Sequence, residues 1–310
     1  MTYEEFLDIW DDGSALVECR TSGSTGTPKS IMLPKAEMAR SARRTIGFFG
    51  LDRNSHLHSC IAADFIGGRM MAVRTRLTGG SLTWEKPSNR PLREYCGEPI
   101  DLLAVVPSQM IYILDNLDEI PPLRNIIIGG APIPAEVRRR ITKSGLNAYE
   151  TYGMTETASH IALRRVTDPP LPFMPLDGIR IDTDAESRLV IDMAPWQRIV
   201  TNDVARVNPD GSFEILGRAD NAIITGGKKV HPEQLEDSIN TFIYHEVMVT
   251  SVPCDKWGQK IVLIVDDSSC PMSDEEIIQL CRLNLPDYCV PKTIVHKPVP
   301  HTSNGKKKRN

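Results

Sequence analysis

Short apolar runs that alternate with amphipathic stretches constrain the fold of this 310-residue chain most strongly. Leu102–Val106 and Asn125–Ile128 are rich in β-formers, whereas Lys35–Phe49 and Ala135–Ser144 have the spacing of amphipathic helices. Strands that alternate with helices predict an α/β fold of layered, partly parallel sheets. The pattern continues towards the C-terminus with strand-like runs at Leu189–Ile191, Phe213–Ile215 and Ile261–Val265.

A second, smaller domain is predicted from a change of pattern after residue 204. Asn208–Gly211 is a strong turn signal between two strand-like runs and predicts a hairpin. A helix then begins near Pro232, because proline is favoured in the first turn. We therefore place the boundary at the polar segment Gly217–Asn221, with a large α/β domain at 1–217 and a small α+β domain at 218–310.

Composition excludes several classes of protein. The formal net charge of −4 argues against nucleic acid as the main partner, since duplex binders carry a basic surplus. No run approaches the roughly 18 apolar residues that cross a bilayer, and the acidic, aromatic segment Met1–Asp12 is unlike a signal peptide. Seven scattered cysteines without a Cys-x-x-Cys pair predict reduced, buried thiols in a cytoplasmic protein, and neither disulfides nor a zinc site.

The segment Thr21–Lys29 concentrates hydroxyl groups, two glycines and a lysine in nine positions. Backbone N–H groups of such a loop can form an anion nest, to which hydroxyls add donors and Lys29 adds charge. It is not a Walker A loop, because no Gly-Lys-Ser/Thr closes it. An ordinary surface loop is the alternative. The candidate phosphate-binding residues are Thr21, Ser22, Gly23, Ser24, Thr25, Gly26 and Lys29.

The sequence of this loop resembles the phosphate loop of the adenylate-forming superfamily, which includes acyl-CoA synthetases, peptide-synthetase adenylation domains and luciferases. Four other stretches resemble the motifs of that family in the family's order. The resemblance covers nearly the whole chain and implies ATP, Mg²⁺ and coenzyme A as cofactors. It also implies that the small C-terminal domain is a mobile lid over the ATP- and acid-binding domain.

Two of the four stretches are expected to meet the nucleotide base and the α-phosphate. The turn Gly130, Ala131, Pro132 resembles the one that lies against adenine in the family. Thr151–Thr157 is similar to the family's Tyr-Gly-x-Thr-Glu motif and includes Gly153. Tyr152 offers a ring to stack on adenine, Thr155 a hydroxyl for the α-phosphate, and Glu156 a hard oxygen ligand for Mg²⁺.

A third stretch is expected to bind the ribose. Asp203 matches the family aspartate that accepts both ribose hydroxyls, and Arg218 matches the arginine that reaches the same sugar. Asp220 matches the hinge at which the lid turns. The family usually has Gly where this chain has Asn202, and Asn tolerates positive φ, so the turn is expected to survive.

The last stretch, Pro300–Lys306, resembles the motif whose lysine enters the active site during adenylation. By composition alone, 306–309 is typical of a solvated basic tail; the resemblance implies that Lys306 stabilises the charge that develops during acyl transfer. In the second half-reaction the lid presents another face, here Gly226, Gly227 and Lys228. Small residues there leave room for a pantetheine arm, and a solvated hairpin is the alternative.

The acid-binding residues are predicted from two further stretches. Phe65 stands where relatives have a histidine, and Arg69 is either a cation for a second carboxylate or a surface arginine. Ser159 and His160 extend the Glu156 motif as in the o-succinylbenzoate–CoA ligases of menaquinone biosynthesis, a branch that uses a compact aromatic diacid. That branch is the predicted one; other aryl or short-chain acids stay open.

One departure separates this chain from the family. The phosphate loop begins at Thr21, whereas relatives usually place a first subdomain before it, so a core without that subdomain is expected. Three explanations stay open: a second copy covers the exposed face, the missing layer is dispensable, or the chain is a fragment or a degraded paralogue. An enzyme that loads a carrier protein and a nucleotide-binding paralogue without catalysis are the alternatives to an acid–CoA ligase.

Overall fold

Helices and strands alternate through the first half of the chain, as the sequence predicts. The computed structural model describes residues 1–21, 29–266, 272–301 and 307–309. The helices in these ranges are α1 Tyr3–Asp11, α2 Lys35–Phe49, α3 Ile66–Thr78, α4 Pro107–Asp115, α5 Ala135–Ser144, α6 Pro232–Ile239 and α7 Asp274–Asn284. The strands are β1 Leu16–Arg20, β2 Ser30–Pro34, β3 His56–Ser59, β4 Ser81–Trp84, β5 Leu102–Val105, β6 Ile126–Ile128, β7 Ala148–Met154, β8 Ser159–Arg165, β9 Met174–Pro175, β10 Arg180–Thr183, β11 Arg188–Met193, β12 Gln197–Val207, β13 Phe213–Arg218, β14 Ile223–Thr225, β15 Lys228–Val230, β16 Val247–Cys254, β17 Gly258–Val265 and β18 Thr293–His296.

A seven-stranded sheet, ordered β4-β3-β5-β6-β7-β8-β9, forms the frame of the N-terminal part. Its first five strands run parallel, β8 runs antiparallel to β7, and β9 runs antiparallel to β8. Leu103 and Val105 of β5 pack into one buried cluster with α4 and α5, whereas Leu102 and Ala104 face the other side. Both faces are therefore covered, which is why the central strands are apolar throughout. The predicted α/β class with partly parallel sheets is confirmed.

The antiparallel hairpin β1–β2 packs beside this sheet. Val17, Cys19 and Leu33 lie in a buried cluster with residues of α1, α2 and α3. The helix α3 is buried over Gly68–Arg74, and its Gly68 is needed because a Cβ there would lie 2.3 Å from the carbonyl oxygen of Ala62. The predicted acid-binding residues Phe65 and Arg69 thus lie at the start of a core helix and not of a surface helix.

The C-terminal part contains two further sheets. One is the antiparallel sheet β10-β11-β12-β13, in which the predicted turn Asn208–Gly211 joins β12 to β13. The other combines β14 to β18, with α6 and α7 packed on it around Leu235, Ile239 and Leu263.

Two compact units result from this arrangement. The first comprises Met1–Ile133, Val137–Ile179 and Met193–Trp196; the second comprises Pro134–Glu136, Arg180–Asp192 and Gln197–Asn310. The predicted boundary at Gly217–Asn221 falls inside the second unit, between its two sheets, and stays a prediction. In the described part of the chain, no helix is long and apolar enough to span a bilayer.

Two expectations about individual side chains are wrong. Cys96 is exposed, and Cys254 and Cys289 are half-buried, so the cysteines are not uniformly buried. The described residues 307–309 are not a solvated tail either. Lys307 donates to a carboxylate oxygen of Glu236 at 2.7 Å and to a backbone carbonyl at 2.6 Å, and Arg309 adds further hydrogen bonds to Glu236.

Candidate active site

Two of the predicted nucleotide-binding segments meet at the carboxyl edge of the seven-stranded sheet. The turn Gly129–Pro132 follows β6, and Tyr152 lies near the end of β7, its parallel neighbour. Gly129 is packed so closely against Thr151 that a Cβ would lie 2.6 Å from its hydroxyl. Ligands of parallel α/β sheets bind at this edge, because loops from adjacent strands converge there.

Gly153 is required by the close approach of β8. A Cβ at this position would lie 2.3 Å from the carbonyl oxygen of Ser159 and 2.5 Å from the Cα of His160. The β7–β8 register shifts at the same place, between Tyr152 and Gly153. The ring centroids of Tyr152 and Phe173 lie 5.7 Å apart, so the two aromatic side chains pack together.

A short 3₁₀ turn, Thr155–Thr157, follows β7 and carries the half-buried carboxylate of Glu156. The Thr157 hydroxyl bridges its two ends: it accepts from Met154 N at 3.0 Å and lies 2.6 Å from the Ser159 carbonyl. Ala158 and Ser159 both have positive φ, 52° and 90°, which non-glycine residues rarely adopt. Strained backbone of this kind clusters at ligand sites.

The ends of the predicted phosphate loop are clamped by the hairpin β1–β2. Thr21 N donates to Lys29 O at 2.8 Å, and Lys29 N donates to the Thr21 hydroxyl at 3.2 Å. The hairpin shares a buried cluster with Ala158, so its strands pack against the segment that follows Glu156. The predicted residues Ser22, Gly23, Ser24, Thr25, Gly26 and Lys306 lie outside the described residues.

Arg69 is a buried structural residue and not the surface arginine that was one expectation. Its Nε donates to Ala63 O at 2.8 Å and its Nη1 donates to Glu18 O at 2.5 Å, and the guanidinium lies 5.5 Å from the centroid of the Phe6 ring. The first bond holds the segment before α3 and the second ties α3 to β1, so a substrate carboxylate would have to compete for both nitrogens. Phe65 is half exposed at the start of α3.

Arg74, which the sequence reasoning missed, is the unusual cation of this unit. Its side chain is fully buried, and no carboxylate of the described residues lies within ion-pair distance. Its polar contacts are long: 3.5 Å to the Ser159 hydroxyl and 3.6 Å to the Met71 sulfur, with Nε unpartnered. Burial lowers the pKa of Arg74 to about 9. An anion would compensate this charge.

His160 lies next to this cation and is also fully buried. Burial, and then the nearby charge of Arg74, hold the pKa of His160 well below its ordinary value, so the ring is neutral. Its Nε2 lies 2.9 Å from the hydroxyl of Thr45 on α2. The predicted acid-binding residues Ser159 and His160 are therefore brought together with Arg74 rather than with Arg69.

Behind this edge, a buried carboxylate holds the start of α5 in place. Glu150 lies 2.5 Å from Arg138 and 2.8 Å from Arg164. Burial alone would raise the pKa of Glu150, but the two guanidinium groups hold it below its ordinary value. The group is fully paired, so it supports the site without being free to take part in chemistry.

In the second unit, the predicted ribose-binding residues are adjacent. Asp203 of β12 pairs in register with Arg218 of β13, and their charged atoms lie 3.5 Å apart. Arg218 also forms two hydrogen bonds of 3.0 Å with Asp220; these raise the pKa of Arg218 and lower that of Asp220. Asn202 lies within extended β12 and does not have positive φ, so the expected turn there is wrong.

Gly226 and Gly227 form the two-residue turn between β14 and β15, with φ of 55° and 73°. Such a turn needs positive φ at both positions, which explains the glycines without a ligand. Lys228 is exposed at the start of β15, and Gly226 N donates to the carbonyl of Trp257 at 2.9 Å.

Comparison with known proteins identifies the family. Residues 9–189 match the model of the AMP-binding enzyme family. The chain belongs to this family. It is 30% identical to the acyl-CoA synthetase (AMP-forming)/AMP-acid ligase II-like protein from Dyadobacter fermentans, with a TM-score of 0.66 over 98% of this chain and 90% of that one. The predicted resemblance to the adenylate-forming superfamily is confirmed.

The chain is also similar to ligases that act on succinylbenzoate. It is 26% identical to the 2-succinylbenzoate–CoA ligase of Bacillus cereus, over 88% of this chain and 64% of that enzyme. The o-succinylbenzoate CoA synthetase of Bacillus subtilis, solved with its acyl-adenylate intermediate, aligns with a TM-score of 0.78 at 19% identity, over 94% of this chain and 68% of that one. The chain thus spans about two thirds of the length of these relatives.

Proposed function

We propose that the chain uses ATP to convert a carboxylic acid into an acyl-adenylate and then into a coenzyme A thioester. Membership of the AMP-binding enzyme family supports the adenylation step. The observation that carries the choice of an acid is Arg74, a buried cation without an acidic partner in the described part of the chain, beside Ser159 and His160. Such a cation favours a substrate that carries a second carboxylate.

In the first half-reaction, an oxygen of the acid attacks the α-phosphorus of ATP, and the bond to pyrophosphate breaks. Both reactants are anions, so the reaction needs charge neutralisation and alignment more than acid–base catalysis. We assign this task to the Thr21–Lys29 loop, the Thr155 hydroxyl and Lys306. In the second half-reaction the thiol of coenzyme A attacks the acyl carbon and AMP leaves.

The residues at the turn after β7 fit the Mg²⁺ that accompanies ATP. Glu156 supplies a half-buried carboxylate at the carboxyl edge of the sheet, and Mg²⁺ prefers oxygen ligands from carboxylates and phosphates. The ion would neutralise charge on the phosphates. The Thr157 hydroxyl and the backbone hydrogen bond from Ala158 N to Thr155 O stabilise this turn, which carries both Thr155 and Glu156.

On the side of the ribose, we assign the sugar hydroxyls to Asp203, with Arg218 beside it. Tyr152 and the turn Gly130–Pro132 are assigned to adenine. Lys228 and the Gly226-Gly227 turn are proposed to meet coenzyme A in the second half-reaction, after rotation at Asp220. A cytoplasmic location and a homo-oligomer remain predictions.

We further propose o-succinylbenzoate as the acid. The curated relatives are named for this substrate, and a compact aromatic diacid has one carboxylate to activate and another for Arg74. The test is thioester formation from o-succinylbenzoate, ATP and coenzyme A, followed by mass spectrometry. A coenzyme A adduct with benzoate or a fatty acid, but none with o-succinylbenzoate, would overturn the choice.

Pyrophosphate release with a panel of acids tests the reaction class. We expect release that depends on the acid; release without acid dependence, or none, would instead indicate a nucleotide-binding protein without ligase activity. Acid-dependent release without any thioester would indicate a carrier protein as the acceptor. Lys306→Ala should slow adenylation about 10²–10³-fold and spare thioester formation from preformed adenylate. Equal loss in both steps would contradict the role given to Lys306.

A further inference from the structure

Outside the proposed active site, three potential metal ligands converge where the edge strand β4 meets β3. His58 lies in β3 and Cys60 follows it, while Glu85 follows β4. The two strands are parallel, with His58 opposite Thr83 and Ser59 opposite Trp84. Alternate residues of a strand share a face, so His58 and Cys60 point to the same side.

The ligand atoms of these three residues all lie within 4.8 Å of one another. His58 and Cys60 are buried, whereas the Glu85 side chain is 23% exposed. Bonds of about 2.0–2.3 Å to a tetrahedral ion require ligand atoms roughly 3.5 Å apart. To reach this spacing, the three ligand atoms must move about 1 Å closer together, which side-chain rotation can supply.

One polar atom in the cluster lacks a partner. Nε2 of His58 is buried without a hydrogen bond, and the nearest oxygen of Glu85 is 3.8 Å away. Nδ1 lies 2.7 Å from the Thr83 hydroxyl. If Nδ1 carries the proton and donates it to this hydroxyl, the lone pair on Nε2 is directed at the cluster. Metal-ligating histidines are oriented in this way by a hydrogen bond from their other nitrogen.

The other two ligands are also held in place. Leu92 N donates to the Glu85 carboxylate at 3.0 Å, and the Gln109 amide donates to the carbonyl of Cys60 at 3.0 Å.

We propose that His58, Cys60 and Glu85 bind a zinc ion that fastens the edge strand β4 to β3. A nitrogen, a sulfur and an oxygen ligand suit Zn²⁺ and not Mg²⁺, which prefers oxygen alone. Binding replaces the S–H bond of Cys60 by a sulfur–zinc bond and releases the proton to solvent. The three side chains fill three of four tetrahedral positions, and a water molecule completes the set.

Cobalt substitution tests the proposal without any assay of activity. Wild-type chain is dialysed against a chelator, titrated with Co²⁺ and observed by absorption spectroscopy. We expect one Co²⁺ per chain, with a thiolate-to-cobalt charge-transfer band that Zn²⁺ abolishes. In the absence of nucleotide, zinc should also raise the thermal midpoint until the site saturates. A folded wild-type chain that shows no such band in excess Co²⁺ would overturn the proposal.

Matched variants locate the site. Cys60→Ser should lose the band, whereas Cys96→Ser, which changes a nearby exposed thiol, should keep it. The reverse pattern would place the metal on the surface and refute the site. Glu85→Gln keeps an acceptor for Leu92 N and should weaken binding while preserving the band, so it remains informative if Cys60→Ser does not fold.

The orienting role of Thr83 has its own test. Thr83→Val should weaken cobalt binding about 10–100-fold, and Thr83→Ser should restore it. Equal affinity in both variants would show that the Thr83 hydroxyl does not orient His58.

Discussion

Replacing Arg74 by methionine should raise stability and lower acid affinity at the same time. The pKa of Arg74 is lowered from its ordinary value to about 9 by burial. Both values exceed 7, so the folded and the unfolded chain are both protonated at neutral pH, and the whole cost of burying the charge is present there. At about 1.36 kcal/mol per pKa unit, that cost has an upper bound of roughly 5 kcal/mol.

The measurable gain is smaller, because methionine also loses the contacts to Ser159 and Met71. Replacing buried charges with apolar side chains of similar volume typically stabilises by about 1–4 kcal/mol, and we expect a gain in this range. The cost fades only as pH rises above about 9, so the gain should not vary between pH 6 and 8. Urea unfolding at two pH values in this interval measures both quantities.

Acid binding should change in the opposite direction. Truncating one partner of a buried charge pair costs about 2–5 kcal/mol, so kcat/KM for o-succinylbenzoate should fall about 30- to 5,000-fold. KM for ATP should not change, because the polar contacts of Arg74 are to Met71 and to Ser159, a predicted acid-binding residue. Pyrophosphate release at varied acid and fixed ATP provides the assay.

Arg69→Met on the same helix is the matched comparison. Its nitrogens donate to two backbone carbonyls that would be left without these bonds, so this variant should lose stability by about 1–3 kcal/mol per bond. If Arg74→Met is instead destabilised and binds the acid normally, Arg74 is a structural residue and our reasoning fails. If only Arg69→Met raises the KM for the acid, Arg69 and not Arg74 binds the second carboxylate, which is one of the two roles that the sequence predicts for Arg69.

Three further predictions concern the backbone, pH and the second unit. Gly153→Ala should lower the free energy of unfolding in urea by about 1–3 kcal/mol, because its Cβ would clash with the backbone of β8. Gly47→Ala, with no atom within 4 Å of the new Cβ, should raise the free energy of unfolding by up to about 1 kcal/mol. Equal effects of the two substitutions would contradict the close approach of β8 to Gly153. Because the pKa of His160 is lowered well below 6.5, the unfolded chain binds a proton below pH 6.5 that the folded chain does not. The free energy of unfolding should therefore fall by up to about 1.4 kcal/mol per pH unit as pH drops below 6.5. His160→Gln should remove this slope in urea titrations, and an unchanged slope would assign it to another group. Asp220→Asn weakens a partly exposed ion pair with Arg218, so the free energy of unfolding should change by less than about 1 kcal/mol. In single-turnover assays, thioester formation should slow more than adenylation. The opposite order of effects would argue against a hinge at this position.

The sequence predicts the local structure well where pattern and turn chemistry agree. The bounds of α2 and α5 match the prediction at both ends, and the hairpin between β12 and β13 is where Asn208–Gly211 places it. These features depend on neighbours in the chain, which the sequence contains. The family motifs also identify Gly153, whose need for a hydrogen side chain is explained by the facing strand.

The roles of the two arginines in α3 could not be predicted, because they depend on tertiary packing. Arg69 and Arg74 lie five positions apart in a helix that contains three other polar or charged residues after Val73, a composition typical of a solvated surface. Only the packing of α3 against other elements shows that both are buried. Only their contacts show that Arg69 is satisfied by carbonyls and that Arg74 is not.

The anchored end of the chain affects how truncated proteins should be interpreted. Glu236 is almost fully buried, and its carboxylate is neutralised by Lys307 and Arg309, which lie one and three positions after the predicted catalytic Lys306. Deleting the last five residues would remove that lysine together with both counter-charges of Glu236, and an unpaired buried carboxylate is destabilising. Loss of activity in such a deletion, or in a fusion that displaces the C-terminus, would therefore not by itself identify a catalytic group.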